Sequence, residues 1–290
     1  PPQLPREVLR ELKKGIDGTF REFSRGYGEA IENFFHPLLM FLKWFQDLLI
    51  ETPWPLILVI LGALSWWGSR SWKMVVGTVL AFLFIGWLDM WEDTMATLAI
   101  VSVATLLCIA IGIPIGILMA RSDRVQAMIL PVLDIMQTIP SFVYLIPVVM
   151  LLGIGKVPGL LAVMIYAIPP IVRLTNLGIR LVDKEVLEAA DAFGSSYRQK
   201  LFQVQIPLAL PNIFAGVNQT IMMALSMVVI AAMIGVPGLG VPVLRAVSNQ
   251  YLALGVMNGL AIVAIAIIFD RVSQAFGKRL QKHREGEHGA

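Results

Sequence analysis

The sequence predicts an all-α, polytopic helical membrane protein of about seven spans. Three observations lead there. Hydrophobic residues make up 57% of the chain and charged residues 15%, against about 25% charged in a soluble domain. The few charges are segregated. Residues 52–69, 74–88, 94–120, 135–155, 157–172, 206–244 and 246–269 hold no Asp, Glu, Lys, Arg or His, and a span needs about 20 mainly apolar residues. The remaining Lys and Arg fall mostly on alternate connections, the bias expected when one side of a bilayer retains positive charge. A soluble protein of buried helices would need polar faces on these stretches.

Residues 1–50 differ from the rest. Leu9, Leu12, Ile16, Phe20, Phe23, Tyr27, Ala30 and Phe34 recur every three or four positions with charges between them, which makes one apolar face of a helix. Gly15, Gly18, Gly26 and Gly28 weaken it. Residues 36–50 are nearly all apolar, with Lys43, Gln46 and Asp47 as a narrow polar stripe. A helix of this kind lies in the membrane interface rather than crossing it. The chain opens Pro-Pro without Met or a charged-then-apolar leader, as a trimmed N-terminus would.

A membrane domain follows over residues 51–275. Its expected spans are about 54–68, 73–90, 95–120, 130–153, 158–179, 212–235 and 250–270. Pro237-Gly238-Leu239-Gly240 breaks the long charge-free run that begins at Ile206. With the C-terminus inside, the inner connections hold fourteen Lys and Arg and the outer ones between spans hold only Lys156 and Arg245. Seven spans put residues 1–50 outside. If the short first segment does not cross, there are six spans and the N-terminus is inside. Residues 276–290 form a cytoplasmic tail in which His283 and His288 flank Glu285 and Glu287; we read it as solvated rather than as a metal site. Cys108 is the only cysteine, so no internal disulfide forms.

The longest inner connection, residues 180–211, is built as a helical elbow. Asp183 caps a short helix over 183–193, and Glu185 suits its positive end. Val186, Leu187, Ala190 and Phe193 share one face. Gly194 fits a left-handed residue that ends a helix. Ser195 or Ser196 then caps a second turn over 197–203, and Pro207 precedes the return to the membrane. Ala189, Ala190 and Ala192 let another surface approach closely. A linker between spans needs only a few residues, so this loop reads as a docking element.

Glu188-Ala189-Ala190, three residues, Gly194, nine residues and Val204-Gln205-Ile206-Pro207 resemble the EAA loop of ABC importer permeases. The family pattern ends Ile-x-Leu-Pro, so Val204 and Ile206 are mild departures. The stretches MQTIPSFVYLIPVVMLLGIGKVPG (136–159), IPPIVRLTNLGIR (168–180) and NQTIMMALSMVVIAAMIGVPGLG (218–240) are similar to the permease of glycine betaine/proline betaine importers. The likeness covers about residues 50–250. It implies a type I importer transmembrane domain in the inner (plasma) membrane, serving osmoprotection. It implies two copies of a separate ATPase subunit that bind ATP and Mg²⁺, an external substrate-binding protein, and a second permease copy. It makes Glu188, Ala189, Ala190, Phe193, Gly194, Ser195 and Pro207 the ATPase-coupling loop.

The chain's own chemistry fits a non-enzyme. It has no G-x-x-x-x-G-K-[ST] loop, no H-E-x-x-H and no G-x-S-x-G. No catalytic residue, metal site or cofactor of its own is expected, and no nucleic acid. Concentrating a solute a thousandfold costs about 4 kcal/mol, which nothing in the chain supplies. The energy must enter mechanically through the elbow. Gly112, Pro114, Gly116, Pro131, Pro140, Pro147, Pro169 and Pro170 are kinks or hinges. Asp134 lies at membrane depth and needs a partner, with Arg173 or Arg124 in reach. Phe142 and Tyr144, whose rings suit a quaternary ammonium, and Asn218 are candidates for the substrate path. The competing readings are a permease for another solute such as an amino acid, an ion-coupled secondary transporter, and a membrane scaffold.

Overall fold

The computed structural model describes residues 5–287, and all its regular elements are helical. The N-terminal stretches form one helix, α1 (Arg6–Glu51), which runs through all four glycines and Pro37. Next come α2 (Trp54–Ser69), α3 (Trp72–Trp87), α4 (Trp91–Arg121), α5 (Asp123–Thr138) and α6 (Leu145–Leu152). The second half holds α7 (Lys156–Arg180), the elbow helix α8 (Lys184–Ala192), the turn α9 (Tyr197–Gln199), α10 (Ile206–Ala231), α11 (Gly240–Asn249) and α12 (Leu252–Glu287).

The expected spans are matched by single helices only in part. Four stretches are long and apolar enough to cross unbroken: Trp91–Arg121, Lys156–Arg180, Tyr197–Ile234 and Leu252–Ala275. Two more are bent pairs, α1 with α2 at 108° and α5 with Ser141–Leu152 at 110°, so by length and composition the described residues hold four to six such spans beside the shorter apolar α3. The expected span over 130–153 is therefore a broken helix. Helix α3 has 16 residues and is about 24 Å long, short of the roughly 30 Å hydrocarbon core. Proline causes both bends. The residue before a proline is pushed out of the helical region, and Thr52 (ψ 132°) and Ile139 (ψ 129°) both precede one. The tail expected from residue 276 is helical to Glu287, as the end of α12. The metal question at His288 falls outside the described residues.

Helix α7 is the centre, packed between α4 and α10. Small residues allow the close approach. On α4, Gly112 faces Ile171 and Val172, and Gly116 faces Thr175. On α10, Gly216 faces Ile171 and Leu174. Ile171, Val172 and Thr175 are buried.

The two ends of this bundle are built differently. At one end Gly155 N–H donates to the Ile234 carbonyl (2.9 Å), and Leu239 N–H donates to Thr97 Oγ1 (2.9 Å). The break at Pro237-Gly238 thus caps the bundle there, with Gly235 (φ 86°) and Gly238 (φ 124°) in conformations that favour glycine. Helix α1 lies along this end. Ser24 Oγ donates to the Met150 carbonyl (2.9 Å), and Lys156 Nζ donates to Gln46 Oε1 (2.8 Å). The other end carries the elbow. Arg180 pairs with Asp123 (2.7 Å) and donates to the Met119 carbonyl (2.9 Å), which ties α7 to the α4–α5 corner.

Candidate coupling elbow and membrane path

The elbow is set by local signals. Asp183 Oδ1 accepts from Glu185 N–H (3.0 Å), starting α8. Gly194, at φ 76°, ends it, and its N–H donates to the Asp191 carbonyl (2.9 Å). Ser196, rather than Ser195, caps α9 in a reciprocal capping box with Gln199. Lys200 pairs with Asp191 (2.6 Å), holding α8 against the following turn.

No residue of α8 is buried. Glu188, Ala189 and Ala192 are exposed, Val186 is 41% exposed and Phe193 is 91% exposed. Of the apolar face read from the sequence, Val186 and Phe193 are exposed and Leu187 and Ala190 half-buried, so this face is not part of the buried core.

After Ser196 the chain does not form a separate turn. It runs on from Tyr197 through a π-helical stretch over Lys200–Gln205 into α10, so Pro207 sits in the first turn of that helix. The connection is shorter than the expected 180–211. From Tyr197 the chain is therefore continuous helix into the bundle core. A second contact ties Tyr197 to the end of α4. The Arg121 guanidinium stacks 4.4 Å over the Tyr197 ring, and its Nε donates to the Tyr197 hydroxyl. Sequence reasoning missed this pair, because 76 residues separate the partners.

The residues proposed for the path do not gather in one place. Phe142 is 54% exposed in the turn between α5 and α6. Tyr144 is buried beside it, its hydroxyl donates to the Met136 carbonyl, and its ring meets Tyr166 edge-on at 5.9 Å. Asn218 lies on α10 and donates to Asp270 Oδ1 on α12 (2.6 Å). Of the two partners considered for Asp134, the structure selects Arg173. Among the described residues no group of three or more His, Cys, Asp or Glu could hold a metal.

The family described as "Binding-protein-dependent transport system inner membrane component" matches residues 112–282, more than half of the chain. The chain belongs to this family. The match takes in α7, the elbow and α10 in full. Relatives of this inner membrane component extend the likeness. The glycine betaine/proline betaine transport system permease protein ProW of Escherichia coli is 50% identical over 242 residues, 83% of this chain and 68% of that protein. The glycine betaine/carnitine transport permease protein GbuB of Listeria monocytogenes is 44% identical, over 96% of this chain and 98% of its own. The glycine betaine transport system permease protein OpuAB of Bacillus subtilis is 40% identical, over 94% of each. A chain from the inward-facing MetNI methionine ABC transporter shares the fold of this component, with a TM-score of 0.59 at 18% identity, over 68% of this chain and 97% of that one.

Proposed function

We propose that this chain is the permease subunit of an ATP-driven importer for a quaternary ammonium solute such as glycine betaine or proline betaine. One observation carries the cargo: relatives aligned over nearly their whole length are named for glycine betaine. The coupling half of the reading rests on the elbow, an exposed, capped helix–Gly–helix unit that continues into the bundle core. Two copies of an ATPase subunit dock there and hydrolyse ATP with Mg²⁺. A binding protein delivers solute at the opposite end, and two permease copies enclose the path about a two-fold axis.

Co-purification tests this reading. The chain is expected to bring down its ATPase with two permease copies per complex by native mass. Addition of a glycine betaine-loaded binding protein should stimulate hydrolysis. A complex with one permease copy contradicts the dimer, and failure to retain any ATPase contradicts the importer.

The elbow belongs on the cytoplasmic side, where the basic connections cluster. Helix α1 packs on the other end, through Ser24, Gly28 and Gln46, and lies on the outer membrane surface, with the short apolar α3 crossing as a seventh span. A cysteine placed at exposed Glu22 should react with an impermeant thiol reagent in intact cells, with Cys108 silent in the core. Reaction only after permeabilisation would put α1 inside.

A further inference from the structure

We propose that the Asp134–Arg173 pair is a binding site for a zwitterionic solute within the membrane path. The inference rests on the importer reading above. Asp134 is 11 residues along α5 from Asp123, about 16 Å in from the elbow end. Arg173 on α7 is seven residues from Arg180, about 10 Å in. Both charges therefore lie at membrane depth. Yet the Asp134 side chain is 64% exposed and that of Arg173 32% exposed. A carboxylate at that depth does not face hydrocarbon; it faces water or protein.

Helix α5 shows which. Only Leu133 of its residues is buried. Arg124, Ala127, Pro131, Asp134 and Thr138 recur every three or four positions and are all exposed, which makes one stripe that carries Arg124, Asp134 and Thr138 as its polar members. Met128, Val132 and Ile135 are 74%, 53% and 58% exposed and form an adjacent apolar stripe suited to lipid or to another helix. The stripe with Arg124, Asp134 and Thr138 suits a water-filled route. Asp134 stands along it, with Arg173 reaching over from α7.

The pair also has capacity to exchange partners. Arg173 Nη2 donates to Asp134 Oδ1, while its Nε is buried without a partner. A solute with a quaternary ammonium at one end and a carboxylate at the other can enter between them, cation to Asp134 and carboxylate to Arg173. Closing the pair after release would keep both charges neutralised when no solute is present. No proton or covalent bond changes hands.

The test uses the assembled importer, with ATPase and binding protein, in lipid vesicles. Asp134→Asn and Arg173→Gln should each cut glycine betaine uptake on the order of tenfold while assembly is unchanged. The Asp134→Asn/Arg173→Gln double variant decides between roles. A purely structural pair can be removed together with little loss. If it binds solute, the double variant stays as low as the single ones; recovery to wild-type uptake overturns the proposal. Thr138→Cys, on the same stripe, should react with a water-soluble thiol reagent, more slowly when glycine betaine is present. An inert Cys at 138 overturns the proposal even if the Asp134 variants fail to assemble. Wild-type vesicles that take up no glycine betaine would instead refute the cargo reading, and the labelling at 138 would then judge the stripe by itself.

Discussion

Gly194→Val leaves the permease folded and sharply lowers the uptake obtained per ATP hydrolysed. At φ 76°, Gly194 holds a conformation that costs a residue with Cβ roughly 1–2 kcal/mol, and a β-branched one most of all. A Cβ there would meet nothing within 4 Å, so the penalty is conformational rather than a clash. The chain relieves it by turning the backbone, and this re-aims α8 against Tyr197 and the helix behind it. Strain of about 1.4 kcal/mol changes the population of the docked geometry roughly tenfold. The fold survives because nothing in α8 is buried. Glu188→Lys, which reverses an exposed charge on the same helix, should act in the same direction. Uptake and ATPase stimulation are measured together. Wild-type values for both variants would reduce the elbow to a linker.

Gly116→Val has the opposite signature: the protein itself fails. A Cβ at this position would lie 2.6 Å from the Thr175 Cβ and 2.8 Å from the Val172 carbonyl oxygen. One neighbour is backbone in the middle of α7, so it cannot rotate away. The two central helices must part, and overpacking of this kind costs about 1–3 kcal/mol before any helix shift is counted. The loss spreads, because α7 also holds α10. The purified variant should melt well below wild type or emerge aggregated. Gly77→Val is the control, since a Cβ at Gly77 meets nothing within 4 Å. Equal melting of Gly116→Val and wild type would show that α4 and α7 are not close-packed.

Much of this was legible in the sequence because the signals are local. The caps at Asp183 and Ser196 and the left-handed Gly194 follow from residue type within a few positions. The charge-free runs mark the spans because a bilayer penalises charge at every position. What the runs do not reveal is whether a span is straight. Thr52 and Ile139 bend two of them through the ordinary conformational limit before proline, and that signal was present in the Pro53 and Pro140 positions. The spacing of Gly112 and Gly116 likewise announces a close helix contact, where a hinge or kink alone would not require small residues at both positions. The Arg121–Tyr197 stack and the docking of α1 were beyond reach. Both join segments far apart in the chain, and no periodicity specifies which exposed face meets which.

The central claim is that this chain moves a quaternary ammonium solute with energy it receives from outside itself. Uptake of radiolabelled glycine betaine into vesicles holding the permease, its ATPase and its binding protein tests that directly. The account predicts accumulation against a gradient that needs ATP and the binding protein, and that survives collapse of all ion gradients. Accumulation that persists with an inactive ATPase and vanishes when an ion gradient is collapsed would contradict it, and would make the chain a secondary transporter.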